Sequence, residues 1–563
     1  MRFSSAAFRE VREWGSRAIV LLCLLIASGV RAQSVFDLRS AGPGGVSWVP
    51  AVQNQSNLGD CWTFATTTAL NSNLLLNGYL PTSNVAPPIA VSSWHLSAYN
   101  GAAQNTFSDD ENYNGIAGGD NWMTTSYYTR GQGEWTIPQA QTGSSYISTM
   151  GGGPVLNSSN ALNPFPLTAV NNGDNLASYL PPVNQSPGFT VTGAYYFDQP
   201  LSGRSDAQQI SVVKSALQQF GALATYMYAG GLKENGHDTS VFQYSDALGY
   251  EYAYYPSNPL TDTSDHVVTI IGWDDNVIIP QADGSENTGG WIVQNSWGAW
   301  GGTLARDDGT FYASYEDPFI GKQGVTAFTA VPAGIYNPVV LQNELGPTYA
   351  TGNWGTETNR NPQGDIPSGM GIIDSSRSTE ALTQLVTTSD GTLLALGLTS
   401  VDAQVGNSKT VTVSIYDGLT MTNGEATFGD LLETQTFTFL QNGYTLFDLN
   451  TPIVFTLGQT LAIQVDYNGS PIPYVWQAAA LNGVAAPTDL TFFYDSGSSE
   501  WEDFGTFSSS GANDTYSGIF TLKGITAIPE PSSVILLALA SGGFLLAVRW
   551  PRRRPQGWGS GQA

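Results

Sequence analysis

The chain has 563 residues, enough for two to four domains, and its 41% hydrophobic and 12% aromatic composition with 63 glycines excludes a disordered chain and points to strand-rich, loop-rich structure. The formal charge is −26; residues 1–32 carry +3 and residues 549–563 carry +4, so the residues between them hold −33. A surface this acidic repels phosphate backbones and excludes nucleic acid as a partner.

In chain order, Arg2, Arg9, Arg12 and Arg17 precede an apolar run at residues 18–27, and Val30-Arg31-Ala32 offers a small-residue cleavage point before Gln33. Residues 1–32 read as a secretion signal, because the run is too short to span a bilayer comfortably. Cys23 would leave with it. Cys61 is then the one cysteine of the exported chain, and stability has to come from packed cores instead of disulfides.

Residues 33–335 mix two periods. Asp60 is a good N-cap residue, residues 61–77 set Trp62, Ala65, Ala69 and Leu76 along a helix, and Gly78 stands just past its end. A second helix is predicted over 207–220, where Val212, Val213, Ala216, Leu217 and Phe220 recur at three- and four-residue spacing. Residues 266–273 and 290–294 read as buried strands. Helices early and strands late predict an α+β domain.

Residues 336–526 change to period two, at Leu394, Leu396 and Leu398, at Val411, Val413 and Ile415, and at Leu461, Ile463, Val465 and Tyr467, with turns expected at Asp417-Gly418 and Asn468-Gly469. That pattern predicts an all-β sandwich. In residues 527–563, Ile528-Pro529-Glu530-Pro531 leads into an apolar run at 534–548 and then Arg549, Arg552, Arg553 and Arg554. This order resembles the PEP-CTERM sorting tail of bacterial exported proteins. The resemblance implies transient membrane association, processing by an exosortase-type enzyme, and an extracellular or cell-surface location.

Hydrolysis of an amide by a thiol needs a base, a group that orients the base, and donors for the developing oxyanion. Cys61 on the first turn of a helix is favoured as a thiolate by the helix dipole. Of the three histidines, His266 is best placed as the base, since it follows Asp265 and opens a strand; His95 and His237 read as structural or surface residues. Asp109, Asp110, Glu111 and Asp120 have the composition of a calcium loop but read as solvated charge. With no Cys or His cluster for zinc either, no metal or cofactor is expected.

Asn54-Gln55, Gly59-x-Cys61-Trp62-x-Phe64-Ala65, Asp265-His266-x-Val268 ending in Gly272-Trp273, and Gln294-Asn295-Ser296-Trp297-Gly298, in that order, resemble the papain family of cysteine peptidases. The resemblance covers roughly residues 36–330. It implies a two-lobed papain-like domain, a helical lobe bearing Cys61 and a β-rich lobe bearing His266 and Asn295. Cys61 would be the nucleophile and His266 its proton partner. Asn295 would orient the imidazole, Trp297 would shield that hydrogen bond, and the Gln55 amide and the Cys61 N–H would bind the oxyanion. Trp62 would support the nucleophile, and Gly118, Gly119 and Asp265 would border the bound substrate backbone.

The departures from the family pattern are also legible. Leu58 stands where the family commonly has a paired cysteine, and Asp60 puts a carboxylate beside the nucleophile, where it opposes a thiolate. The 205 residues from Cys61 to His266 exceed the family's spacing of roughly 130–150. Phe36-Asp37-Leu38-Arg39 resembles the start of a mature domain and follows Ala32 so closely that no N-terminal propeptide is expected. The β-sandwich is similar to lectin-like domains appended to bacterial cysteine peptidases, and Trp354, Tyr474, Trp476 and Trp501 are candidates to stack on a glycan or peptide ligand. The expected function is exported cysteine-type hydrolysis of protein or peptide substrates. The alternatives are an inactive papain-like surface binding protein and a thiol-dependent peptidyl transferase.

Overall fold

The computed structural model describes residues 33–53, 55, 59–82, 91–93, 96, 119–129, 188–199, 204–229, 242–245, 250–253, 264–281, 284–298, 309–332, 339–340, 370–387, 390–478, 489–506 and 516–527. The predicted signal and sorting tail lie outside them. Among the described residues no helix is long and apolar enough to cross a membrane.

Three helices are described over their whole spans, α1 (Cys61–Leu76), α2 (Asn121–Thr129) and α3 (Asp206–Phe220), and among the described residues strand residues far outnumber helical ones. Helix α1 is buried on nearly every side. It tolerates its many polar residues because they bond within the helix: Thr66 Oγ1 donates to Trp62 O (2.6 Å) and Asn71 Nδ2 to Thr67 O (2.8 Å). Its C-terminus closes as expected. Gly78 takes φ +72°, Tyr79 N–H reaches Leu74 O (2.9 Å), and Gly78 N–H reaches Leu75 O (3.1 Å). The N-cap expectation fails at Asp60, whose side chain makes no capping hydrogen bond. Helix α3 is capped instead by a reciprocal Ser205–Gln208 box.

One sheet of thirteen strands backs these helices. Along it lie Val339–Val340, Lys523–Ala527, Gly391–Ser400, Asn442–Phe455, Phe189–Tyr196, Thr326–Pro332, Leu223–Met227, His266–Pro280, Glu286–Gln294, Thr310–Ser314, Tyr250–Ala253 and Phe242–Ser245. Val35–Asp37 pairs separately with His266–Pro280, and Gly272 there admits no side chain, because a Cβ would lie 2.2 Å from Phe36 O. Helix α1 packs on one group of core residues with Val267 and Phe328, while Val213, Ala216 and Leu217 of α3 pack on another with Val268, Ile270 and Trp291.

The sheet does not stop where the residue pattern changes. Phe189–Tyr196 pairs with Thr326–Pro332 on one side and with Asn442–Phe455 on the other, Asn442 opposite Tyr196 and Thr445 opposite Gly193. At the crossing Gly443 has φ +120°, and a Cβ would sit 1.9 Å from Ala194 O. Tyr444 is buried in the same cluster as Trp62, Tyr128 and Phe328. Lys523, 1% exposed, bonds Thr129 at the end of α2 and lies 5.6 Å over the Tyr444 ring. Gln441 bonds the carbonyl of Tyr196.

Beyond the seam, a six-stranded sheet (Glu425–Phe439, Lys409–Thr422, Thr460–Asp466, Glu380–Val386, Thr491–Asp495, Glu500–Asp503) and a three-stranded one (Met370–Ile373, Ile472–Ala478, Tyr516–Phe520) enclose an apolar core. The predicted inward rows at 411–415 and 461–467 both enter that core. Two readings are corrected. A bulge between Leu393 and Ala395 shifts the alternation, so Leu393 is buried and Leu394 is not. Asp417-Gly418 is no turn: the strand runs on to Thr422 past an irregularity at Ile415/Tyr416, and the chain reverses at Asn423-Gly424, both with positive φ.

Candidate active site

The site is assembled where α1 meets the start of His266–Pro280. That strand pairs antiparallel with Glu286–Gln294, Thr269 opposite Gln294, which brings His266 and Asn295 together across 29 residues of sequence. His266 Nε2 and Asn295 Oδ1 are 2.9 Å apart and both residues are buried. The orientation of the Asn295 amide is fixed locally, since Ser296 N–H can only donate and lies 2.8 Å from Oδ1. His266 Nε2 therefore donates to the same oxygen, and Nδ1 is the ring nitrogen left for proton transfer. Trp297 stacks on the imidazole with centroids 4.7 Å apart and planes 27° apart, which keeps water from that hydrogen bond.

Cys61 is partly buried on the first turn of α1. Its sulfur takes a backbone hydrogen bond from Val267, the residue after His266, and another from Trp62. These lower its pKa, but the net shift is upward, to about 12: burial is the main cause, and the negative charges of Asp60 and Asp265 add to it. The dipole of α1 alone therefore does not hold a thiolate. The Val267 N–H on the sulfur places the thiol at the strand end that begins with His266.

Gln55 is buried and held at both ends of its reach by Ser296: its N–H donates to Ser296 O (2.7 Å), and its Oε1 accepts the Ser296 hydroxyl. With the carbonyl end engaged, the amide NH₂ is the end that can serve an oxyanion. Ser296 carries no role in the motif itself, although it lies inside the Asn295-Ser296-Trp297 run; its bond to Gln55, 241 residues away in sequence, is a tertiary fact. Asp265 takes the Ala229 N–H (2.6 Å), and its charge adds to the upward shift of the Cys61 thiol. Gly119 lies flat on the fully buried Trp62, where a Cβ would be 2.2 Å from the indole. Gly118 lies outside the described residues, as do His95 and His237.

Asp120 is corrected. Instead of solvated charge it is a buried carboxyl that accepts the Met123 N–H (2.8 Å) at the start of α2, and burial raises its pKa to about 7. Asp109, Asp110 and Glu111 lie outside the described residues. Among the described residues no three His, Cys, Asp or Glu side chains converge as metal ligands. In the second region Tyr474 is 3% exposed and belongs to the core, so it is not available for stacking. Trp501 is partly exposed beside Tyr494, edge to face at 5.5 Å. Trp354 and the side chain of Trp476 lie outside the described residues.

Replacing Asp60 with serine is expected to move the pH midpoint of Cys61 alkylation by iodoacetamide downward, because a charge that raises the thiol pKa is removed. Below the midpoint the thiolate fraction sets the rate, so a thiol pKa lower by one gives roughly tenfold faster alkylation there. An unchanged midpoint would mean that the Asp60 charge does not act on the thiol.

No family model matches the chain, and no curated protein does. Among solved structures, the cysteine protease and lectin-like domains of Cwp84, a surface-layer-associated protein of Clostridium difficile, superpose with a TM-score of 0.55 at 17% identity, covering 88% of this chain and 89% of that one. Cwp84 after propeptide cleavage gives the same score and identity over 85% of this chain and 97% of its own. This chain therefore has the fold of a papain-like cysteine protease domain joined to a β-rich C-terminal domain.

Proposed function

We propose that the protein is an exported cysteine-type peptidase that cleaves peptide bonds through a thioester intermediate. The observation that carries this reading is the His266–Asn295 hydrogen bond under Trp297, at the strand end whose next residue, Val267, hydrogen bonds the Cys61 sulfur. In the reaction the Cys61 proton passes to His266 Nδ1 as sulfur attacks the scissile carbonyl carbon. The oxyanion is held by the Gln55 side-chain amide and the Cys61 N–H. His266 then gives its proton to the leaving amine, and water, deprotonated by His266, hydrolyses the thioester. The helical lobe with α1 and α2 and the β-rich lobe with His266 and Asn295 form the two walls, and Gly119 and Asp265 border the substrate backbone.

The further assignments are a signal at residues 1–32, a peptidase domain at 33–335, a lectin-like sandwich at 336–526 with Trp501 as its candidate glycan contact, and a sorting tail at 527–563. The test is mass spectrometry of the purified protein after incubation with E-64, an epoxide directed at papain-like thiols. One adduct on Cys61 is expected, absent in His266→Ala; no adduct on the folded, reduced wild-type protein would overturn the reading.

A further inference from the structure

Beneath the site is a small cavity of about 10 Å³, between α1, the start of His266–Pro280 and the residues after Glu286–Gln294. Gln53 and Asn295 both line it. The amide nitrogens of these two side chains, Gln53 Nε2 and Asn295 Nδ2, are buried and have no hydrogen-bond partner, although the residues are only 7% and 4% exposed. Two orphaned donors on residues lining one small cavity are unusual, because a buried donor without an acceptor keeps its full desolvation penalty. Neither can satisfy the other, since both are donors. The chemistry they share is a need for one compact acceptor with two lone pairs, and the cavity has roughly the volume open to a single water.

We infer that one buried water bridges Gln53 Nε2 to Asn295 Nδ2, and that Gln53 is through it a positioning residue for the His266–Asn295 pair. The water accepts from both amides. Thr269, on the same cavity, gives its hydroxyl proton to Ala65 O (3.2 Å) and keeps lone pairs that can accept one of the water's protons. The far end of Gln53 is fixed as well, because Ser93 Oγ, itself buried, donates to Oε1 at 3.2 Å. The chain of restraint runs Ser93, Gln53, water, Asn295 Nδ2. It holds the amide plane whose other end, Oδ1, receives His266 Nε2 and Ser296 N–H. An amide tethered at both ends cannot rotate away when the imidazole becomes charged, so the imidazolium keeps its acceptor.

This inference rests on the peptidase reading only for its catalytic consequence. The first measurement is a crystal structure of the protein at about 1.5 Å. Density for one water within hydrogen-bond distance of both amide nitrogens is expected, and a dry cavity or a direct Gln53–Asn295 bond overturns the bridge. The second is the rate of E-64 inactivation against pH for wild type and Gln53→Leu. The variant is expected to react roughly tenfold more slowly, with the alkaline limb of its profile at lower pH, since a poorly held Asn295 supports the imidazolium less. A lower amount of active protein with an unmoved limb would mark Gln53 as structural and overturn the positioning role. If Gln53→Leu does not fold, Ser93→Ala, which releases the far end of the same side chain, is read in the same way. A wild-type protein that takes no E-64 overturns the peptidase reading, while the density still decides the water.

Discussion

Cys61→Ala is expected to abolish peptide hydrolysis, a loss on the order of 10⁴–10⁶ in turnover, as for removal of a nucleophile that acts as a unit with its base. The fold should survive the change. Cys61 is on the first turn of α1 and only partly buried, its side chain is small, and alanine is the better helix former. Thermal unfolding of the variant should stay within a few degrees of wild type, so a loss of turnover would belong to chemistry. The elevated thiol pKa sharpens the expectation for His266: with sulfur held neutral by burial and by two nearby carboxylates, His266→Ala should lose nearly as much as Cys61→Ala, because no standing thiolate remains to attack unaided. Turnover of a peptide library by purified Cys61→Ala, measured against wild type, decides it; retained turnover would remove the thiol from the mechanism.

How much of this was legible in the sequence depends on how local each cause is. Gly78 ends α1 because a left-handed residue is needed there, and the rows Val411 to Ile415 and Leu461 to Tyr467 face inward because a strand alternates; both are properties of a few consecutive residues. Cys61, His266 and Asn295 stand out as candidates in the sequence because short motifs carry them, and His266 and Asn295 meet in the fold. What failed was set by contacts far along the chain. Asp60 has the composition of a cap but its side chain makes no capping bond, and Asp120, read as solvated, caps α2 from the interior. The irregularity at Leu393/Ala395 took Leu394 off the buried face, while Leu396 and Leu398 beyond it face the core as the period has them. The direction of the Cys61 shift could not be read from the helix dipole, because desolvation outweighs it and desolvation is a property of the assembled site.

The least legible feature is the seam between the two regions, and it carries the second large effect. A chain ending at residue 335 is expected not to fold, even though it contains the whole candidate catalytic set. Without Asn442–Phe455, the strand Phe189–Tyr196 becomes an exposed edge inside what is now a continuous sheet, and an unprotected edge invites aggregation. Removing Tyr444 takes an aromatic ring from the cluster around Trp62, Tyr128 and Phe328, a loss of about 3–5 kcal/mol by comparison with large-to-small core substitutions. Gln441 no longer meets the Tyr196 carbonyl, and Thr129 at the end of α2 loses Lys523. These losses fall on the elements that hold Trp62 and Gly119 next to Cys61, and together they rival the 5–15 kcal/mol that typically holds a folded protein together. The truncated chain should be insoluble or bind hydrophobic dyes, and should take no E-64 at Cys61. Tyr444→Ala in the full chain should lower the melting temperature by several degrees while leaving the sequence of the site intact. A soluble 33–335 fragment that reacts with E-64 like the full chain would show that the shared strand is a docking contact between independent domains, and that the second region serves the first only by position.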